Sequence, residues 1–150
     1  MALRPDRNEV VTDISFFMNE TAERGVIVTA ATQGSGAAMD DSTAAVNIAN
    51  AVTDKPVGLL LNDVVNLDLT RQHINYAKDE VQKGSKVLLL RRGFVVTDQI
   101  SGAITMGEPA HWMGGGQLCS ATANSASVQV GRWLSKKDAD GFAKVEINIV

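Results

Sequence analysis

The sequence predicts a mainly β protein: a compact β-barrel or sandwich domain with an extended N-terminal arm and at most one short helix. Two observations carry this. From Lys144 to Ile149 polar and apolar residues alternate strictly, Lys144, Glu146 and Asn148 against Val145, Ile147 and Ile149. A period of two belongs to a strand with one wet face and one dry face. Short β-branched and aliphatic runs also recur along the chain, and turn residues separate them at roughly 8–12-residue spacing, the rhythm of barrels and sandwiches.

The elements follow in order. Residues 1–12 are polar, contain Pro5 and have little to bury, so they read as the arm. Residues 13–24 fit two readings. Ile14, Phe17, Met18 and Ala22 have helical spacing, with Asp13 as a possible N-cap and Gly25 as a stop. Ile14-Ser15-Phe16 fits a short strand equally well. Val26 to Thr29 is β-branched and reads as a strand. Residues 31–45 read as a long loop, with Gly34-Ser35-Gly36 its flexible part. Val57 to Leu61 is a buried strand that Asn62-Asp63 should end. The alternation Val65/Leu67/Leu69 suggests an extended excursion. Lys83-Gly84-Ser85 makes a turn before the strand Val87–Leu90. Arg91-Arg92-Gly93 interrupts that pattern and Phe94–Thr97 resumes it, which signals a bulge or a tight hairpin. Ile100–Gly107 reads as a turn-and-strand unit and 113–127 as a second loop. Val128–Leu134, the turn Lys137–Gly141 and the strand from Lys144 form a closing hairpin. The division expected is 1–24 as arm and junction, and 25–150 as one β-rich domain.

Composition narrows the function classes. The chain has 150 residues, enough for one domain with a real core. Aromatics are only 5%, so aliphatic side chains must fill most of that core. The net charge of −3 disfavours a protein that depends on phosphate contacts, so no nucleic-acid partner is expected. The single cysteine, Cys119, excludes an internal disulfide. No apolar run approaches ~18 residues, so no membrane span is expected. The charged N-terminus has no apolar core region and does not read as a secretory signal, so synthesis in the cytoplasm is expected.

Catalytic chemistry finds little support. His73 and His111 sit in no metal-ligand pattern; a site joining His73 to Asp63 and Asp68 is conceivable, and a polar loop histidine is the plainer reading. One cysteine and two histidines supply a structural zinc site poorly. Asp138-Ala139-Asp140-Gly141 is calcium-loop-like only at its start, because Ile149 stands where the closing glutamate belongs. Turn residues explain it better. Gly34-Ser35-Gly36 lacks the Lys-Ser/Thr of a phosphate cradle, and Gly114-Gly115-Gly116 lacks a partner nucleophile motif. Cys119, with no histidine nearby in sequence, reads as a small packed thiol. Trp133 reads as core. Trp112, beside a glycine-rich loop, reads equally as core or as a contact anchor. No cofactor or metal is expected.

Four segments together resemble a known family: Asp13–Gly25 (DISFFMNETAERG), Lys55–Val64 (KPVGLLLNDV), Glu80–Val87 (EVQKGSKV), and Gly131–Ser135 with Asp138–Phe142 (GRWLS, DADGF). They are similar to the head decoration, or cement, proteins of tailed bacteriophages. The resemblance implies a non-enzymatic β domain that docks on the exterior of the assembled head and bridges adjacent major capsid protein subunits. It further implies a homotrimer, an N-terminal arm laid on the shell, and a place on the virion. Candidate contact residues are then Arg4, Arg7 and Glu9 in the arm, Phe16 and Phe17 in the junction, and Trp112. Two other classes stand beside it: another virion component, such as a fibre base or tail subunit, and a small trimeric β enzyme such as a nucleotide pyrophosphatase. The enzyme would need ordered acidic and glycine-rich phosphate motifs with a divalent metal, and the sequence has none.

Overall fold

The computed structural model describes residues 3–31, 45–65 and 80–149. Their regular elements are all strands: β1 (Asn8–Met18), β2 (Ala22–Glu23), β3 (Ile27–Ala30), β4 (Ala45–Ile48), β5 (Pro56–Val65), β6 (Glu80–Val81), β7 (Lys86–Thr97), β8 (Pro109–Trp112), β9 (Leu118–Ser120), β10 (Gly131–Trp133) and β11 (Ala143–Asn148). β2 and β6 form a small ribbon. The others make one nine-stranded sheet in the order β1-β4-β3-β5-β7-β11-β10-β8-β9. β1 pairs with β7 as well as with β4, so β1, β4, β3, β5 and β7 close into a ring. The remaining strands continue the sheet from the second half of β7, beginning with β11.

The ring separates two cores. Its interior holds Met18, Val28, Val46, Leu60, Val87 and Leu89, contributed by each of its strands. The second core holds Ile27, Leu59, Leu61, Leu90 and Val95 from the ring, packed against Trp112, Leu118, Trp133, Val145 and Ile147. β5 therefore shows no alternation: Leu59, Leu60 and Leu61 are all fully buried, alternately in the two cores. Each such leucine contributes about 1.5–3 kcal/mol. In β11 the expected alternation is present, with Ala143, Val145 and Ile147 buried and Glu146 and Asn148 exposed.

Several expectations change. The segment 13–24 is strand, not helix, up to Met18, and then the short β2. The pairing of β1 with β7 shifts register between Glu9 and Val11, between Val11 and Thr12, and between Asp13 and Phe16, the last of these inside the segment. The first and third add a residue to β1 and break its period of two; the second adds one, Arg91, to β7. Residues 8–12 are extended with exposed side chains, as an arm would be, yet their backbone is paired with β7. Leu3 is buried and bridges Thr97. β5 runs through Asn62-Asp63 to Val65. Ile100–Gly107 holds only an isolated bridge, Ile100 to Leu118, and the next strand starts at Pro109. The loop expected over 113–127 contains β9, all of it buried. Gly34-Ser35-Gly36, the stretch from Asn66 to Tyr76 and His73 lie outside the described residues.

Of the two readings of Arg91-Arg92-Gly93, the bulge holds, for β7 continues across it. Leu90 and Val95 lie in the same core although a regular strand of that spacing would send them to opposite faces. The strand turns over between them. Gly93 has φ +147°, and a Cβ placed there would stand 2.0 Å from the Asn8 carbonyl oxygen. Gly93→Ala should cost about 3 kcal/mol or more, since backbone rather than a flexible side chain must move. Gly102 also has positive φ (+78°) but faces open space. Its alanine variant should cost only about 1 kcal/mol. Urea unfolding of the two variants checks the contrast.

Candidate functional site

The N-terminal segment gathers five of the six candidate contact residues. Leu3 seats it in the second core, and the Arg4 amide donates to the Val96 carbonyl at 2.9 Å. The Arg4 guanidinium then reaches the turn before β11. It lies 3.3 Å from an Asp138 carboxylate oxygen, donates to Asp140 at 3.2 Å, and sits 4.2 Å from the centre of the Phe142 ring. Arg7 pairs with Glu9 at 2.7 Å. Phe16 is half-buried against the ring interior. Phe17 is half-buried where β4 and β7 both meet β1, with the Lys86 ammonium 5.9 Å from its ring centre. Arg4, Arg7 and Glu9 are therefore already partnered within the chain. Trp112 stands apart: it is fully buried among Ile27, Leu61 and Trp133, so its side chain is core and offers no contact surface.

The residues that do present apolar surface here were not among the candidates. Val10, Val11 and Ile14 of β1 are 59%, 45% and 50% exposed. Two of them, Val10 and Ile14, fall within the β1 bulges, which no local pattern announces. Asp13 lies between Val11 and Ile14. The Ser15 hydroxyl and amide both donate to its carboxylate, and these bonds, the hydroxyl foremost, hold its pKa below the ordinary carboxylate range. Beside β1, Val10, Phe94 and Leu134 line a groove of about 320 Å³ together with Arg92 and Glu146. The Lys144 ammonium sits 3.9 Å from the Phe94 ring centre.

The other polar features are occupied by the fold itself. A pocket of about 430 Å³ contains Glu20 and Asp54. The Glu20 carboxylate accepts the Ile48 amide at 2.7 Å, and Asp54 accepts the amides of Asn50 and Ala51 at 3.0 and 2.9 Å. Asp54 closes a local turn, and Glu20, just past β1, ties that end of the strand to β4. Asp138 closes a turn as Asp54 does, accepting the amides of Asp140 and Phe142 at 2.9 Å each. That is turn chemistry, as expected, with Gly141 at φ +85°. Among the described residues no group of three histidine, cysteine or acidic side chains is placed to hold a metal.

One juxtaposition was not among the expectations. His111 stands directly opposite Cys119 across β8 and β9, in a hairpin whose turn is the glycine run. The signal was their equal separation, four residues each, from Gly115. It is not a catalytic pair. His111 is buried and donates from Nδ1 to the Ser127 carbonyl at 2.8 Å. Burial pushes the Cys119 thiol pKa up, which keeps it protonated.

Among the described residues the regular elements are all strands, the carboxylates named above serve the fold, and β1 carries an exposed aliphatic row. Comparison with known families supplies the class. Residues 8–148 match the model of the phage structural cement proteins, described as structural cement protein (E217 gp24/Pam3 gp6). The chain belongs to this family of virion structural proteins. No curated protein gives a significant match.

Two outcomes follow from this geometry. Arg4→Ala should lower stability by about 1 kcal/mol at low ionic strength and by less at high salt, read from thermal melts. Cys119 should resist a thiol reagent in the native protein and react fully in denaturant. As pH rises past the unfolded thiol's pKa, the unfolded chain loses a proton that the native thiol keeps, so stability should fall there. Cys119→Ala should remove that part of the alkaline loss.

Proposed function

We propose that this chain is a decoration subunit that docks on the exterior of the assembled phage head and bridges neighbouring major capsid protein subunits, acting as a homotrimer and not as an enzyme. The observation that supports it most is the family match, which runs from the first residue of β1 to the last of β11. The sheet suits such work. Residues 1–24 act as the contact element and 25–150 as the body, and β1 ties the two into one sheet. A rigid body loses little conformational freedom on docking. A trimer multiplies weak single contacts through effective concentration. Affinity for the assembled shell, absent for separated subunits, stabilises the shell by mass action.

The test uses heads that lack this protein. Purified full-length chain should cosediment with them to saturation, raise their thermal disruption temperature, and leave free shell subunits unbound. Protein that stays in the supernatant beside intact heads overturns the proposal. Deleting residues 1–12 is a poor probe, because it removes Leu3, Arg4 and much of β1 together.

A further inference from the structure

β11 sends Val145 and Ile147 into the second core and turns Lys144, Glu146 and Asn148 the other way. Strand register fixes what lies beside them on that outer face. Arg132 faces Glu146, Glu146 faces Phe94 and Phe94 faces Asn8, one row across four strands. Asn148 faces Arg92 in the neighbouring register. Two depressions meet in this face at Glu146. One is the groove of about 320 Å³ that holds Val10, Phe94 and Leu134. The other, of about 340 Å³, is lined by Gln129, Gly131, Arg132, Glu146 and Asn148. Sharing Glu146, they form one trough, apolar towards β1 and polar towards β10.

The charge of the trough is opposite to that of the chain. Arg92, Arg132 and Lys144, the last seated on the Phe94 ring, stand against Glu146 alone: a balance of +2 where the whole chain carries −3. Among the described residues none of the four is in an ion pair. Arg92, Arg132 and Glu146 are exposed.

We propose that this trough is a face by which the protein meets the head, and that its occupant is a segment of the shell protein carrying an aliphatic side chain with carboxylates beside it. This rests on the decoration reading above. The aliphatic group covers Val10, Phe94 and Leu134, and the carboxylates meet Arg92 and Lys144. Arginine holds a carboxylate through two parallel N–H donors. The apolar floor supplies affinity, and the charges supply register and encounter rate. Glu146, inside the trough, opposes a chain of phosphates, and a nucleic acid has no aliphatic side chain for the groove. Two copies meeting trough to trough would set +2 against +2. Contact with the shell then extends from β1 onto the body of the domain.

Binding of full-length variants to heads that lack this protein tests the assignment, with thermal melts confirming the fold. Arg92→Glu with Lys144→Glu should weaken cosedimentation at least ~10-fold, because like charges would then face each other across the contact. Glu146→Gln should tighten it a few-fold, an effect that misfolding cannot produce. Lys55→Glu with Lys83→Glu, the same change of charge at exposed sites outside the trough, should leave it unchanged. Leu134→p-benzoyl-phenylalanine, illuminated on decorated heads, should attach to a shell-protein peptide that holds Asp or Glu near an aliphatic residue. Attachment to another copy of this chain, to nucleic acid or to a peptide without an acidic residue overturns the proposal. So does an equal loss in the control pair. Heads that take up the wild type and the Arg92→Glu/Lys144→Glu variant alike overturn this inference alone. Heads that ignore the wild type overturn the decoration reading, and this inference with it.

Discussion

The fold turns on the crowding around Gly93. Three backbones run side by side there: β1 on one edge of β7, β11 on the other, and β7 between. Glu9 and Ile147 are its facing residues, and the Asn8 carbonyl fills the space that a side chain would take. Because this residue lacks a side chain, β7 can reverse its inward face between Leu90 and Val95. That reversal lets a single strand serve first as a stave of the ring and then as the root of the outer sheet. Without it, Val95 would point away from the tryptophans, and Ile27, Leu59, Leu61 and Leu90 alone would join the ring to the second core.

The parts legible in the sequence are those where one face is wet and the other dry. The hairpin β10–β11 shows its alternation because Glu146 and Asn148 meet solvent while Val145 and Ile147 do not. The strands with two dry faces show only as apolar runs, as at Leu59–Leu61, or not at all. β8 and β9 are short and buried from Ala110 to Trp112 and from Leu118 to Ser120, so His111, Cys119 and Ser120 hide among apolar neighbours. β4 escaped notice for a related reason: it is short and rests on partners far away in sequence. β1 was ambiguous because its bulges interrupt the period of two that marks a strand.

The candidate contact residues were less legible still. Arg4, Arg7 and Glu9 stood out as charges on a polar stretch, and each found a partner inside the chain. Nothing near Arg4 in sequence announces Asp138 or Asp140; only the fold brings them together. Trp112 drew attention by size, and size put it in the core. On this segment, two valines and an isoleucine of β1 remain outside. Their meaning depends on which edge of which strand they occupy, and on what lies beside it, neither of which a linear sequence records.

The antiparallel pairing of β1 with β7 has a mechanical consequence. Its hydrogen bonds lie across the strands, from Asn8 to Phe17. A pull along β1 therefore strains them together, sideways, instead of opening them one by one from an end. Such an arrangement yields late and abruptly. Under tension a strand pair of that kind holds at nearly constant length until the force exceeds what the whole row of bonds can bear.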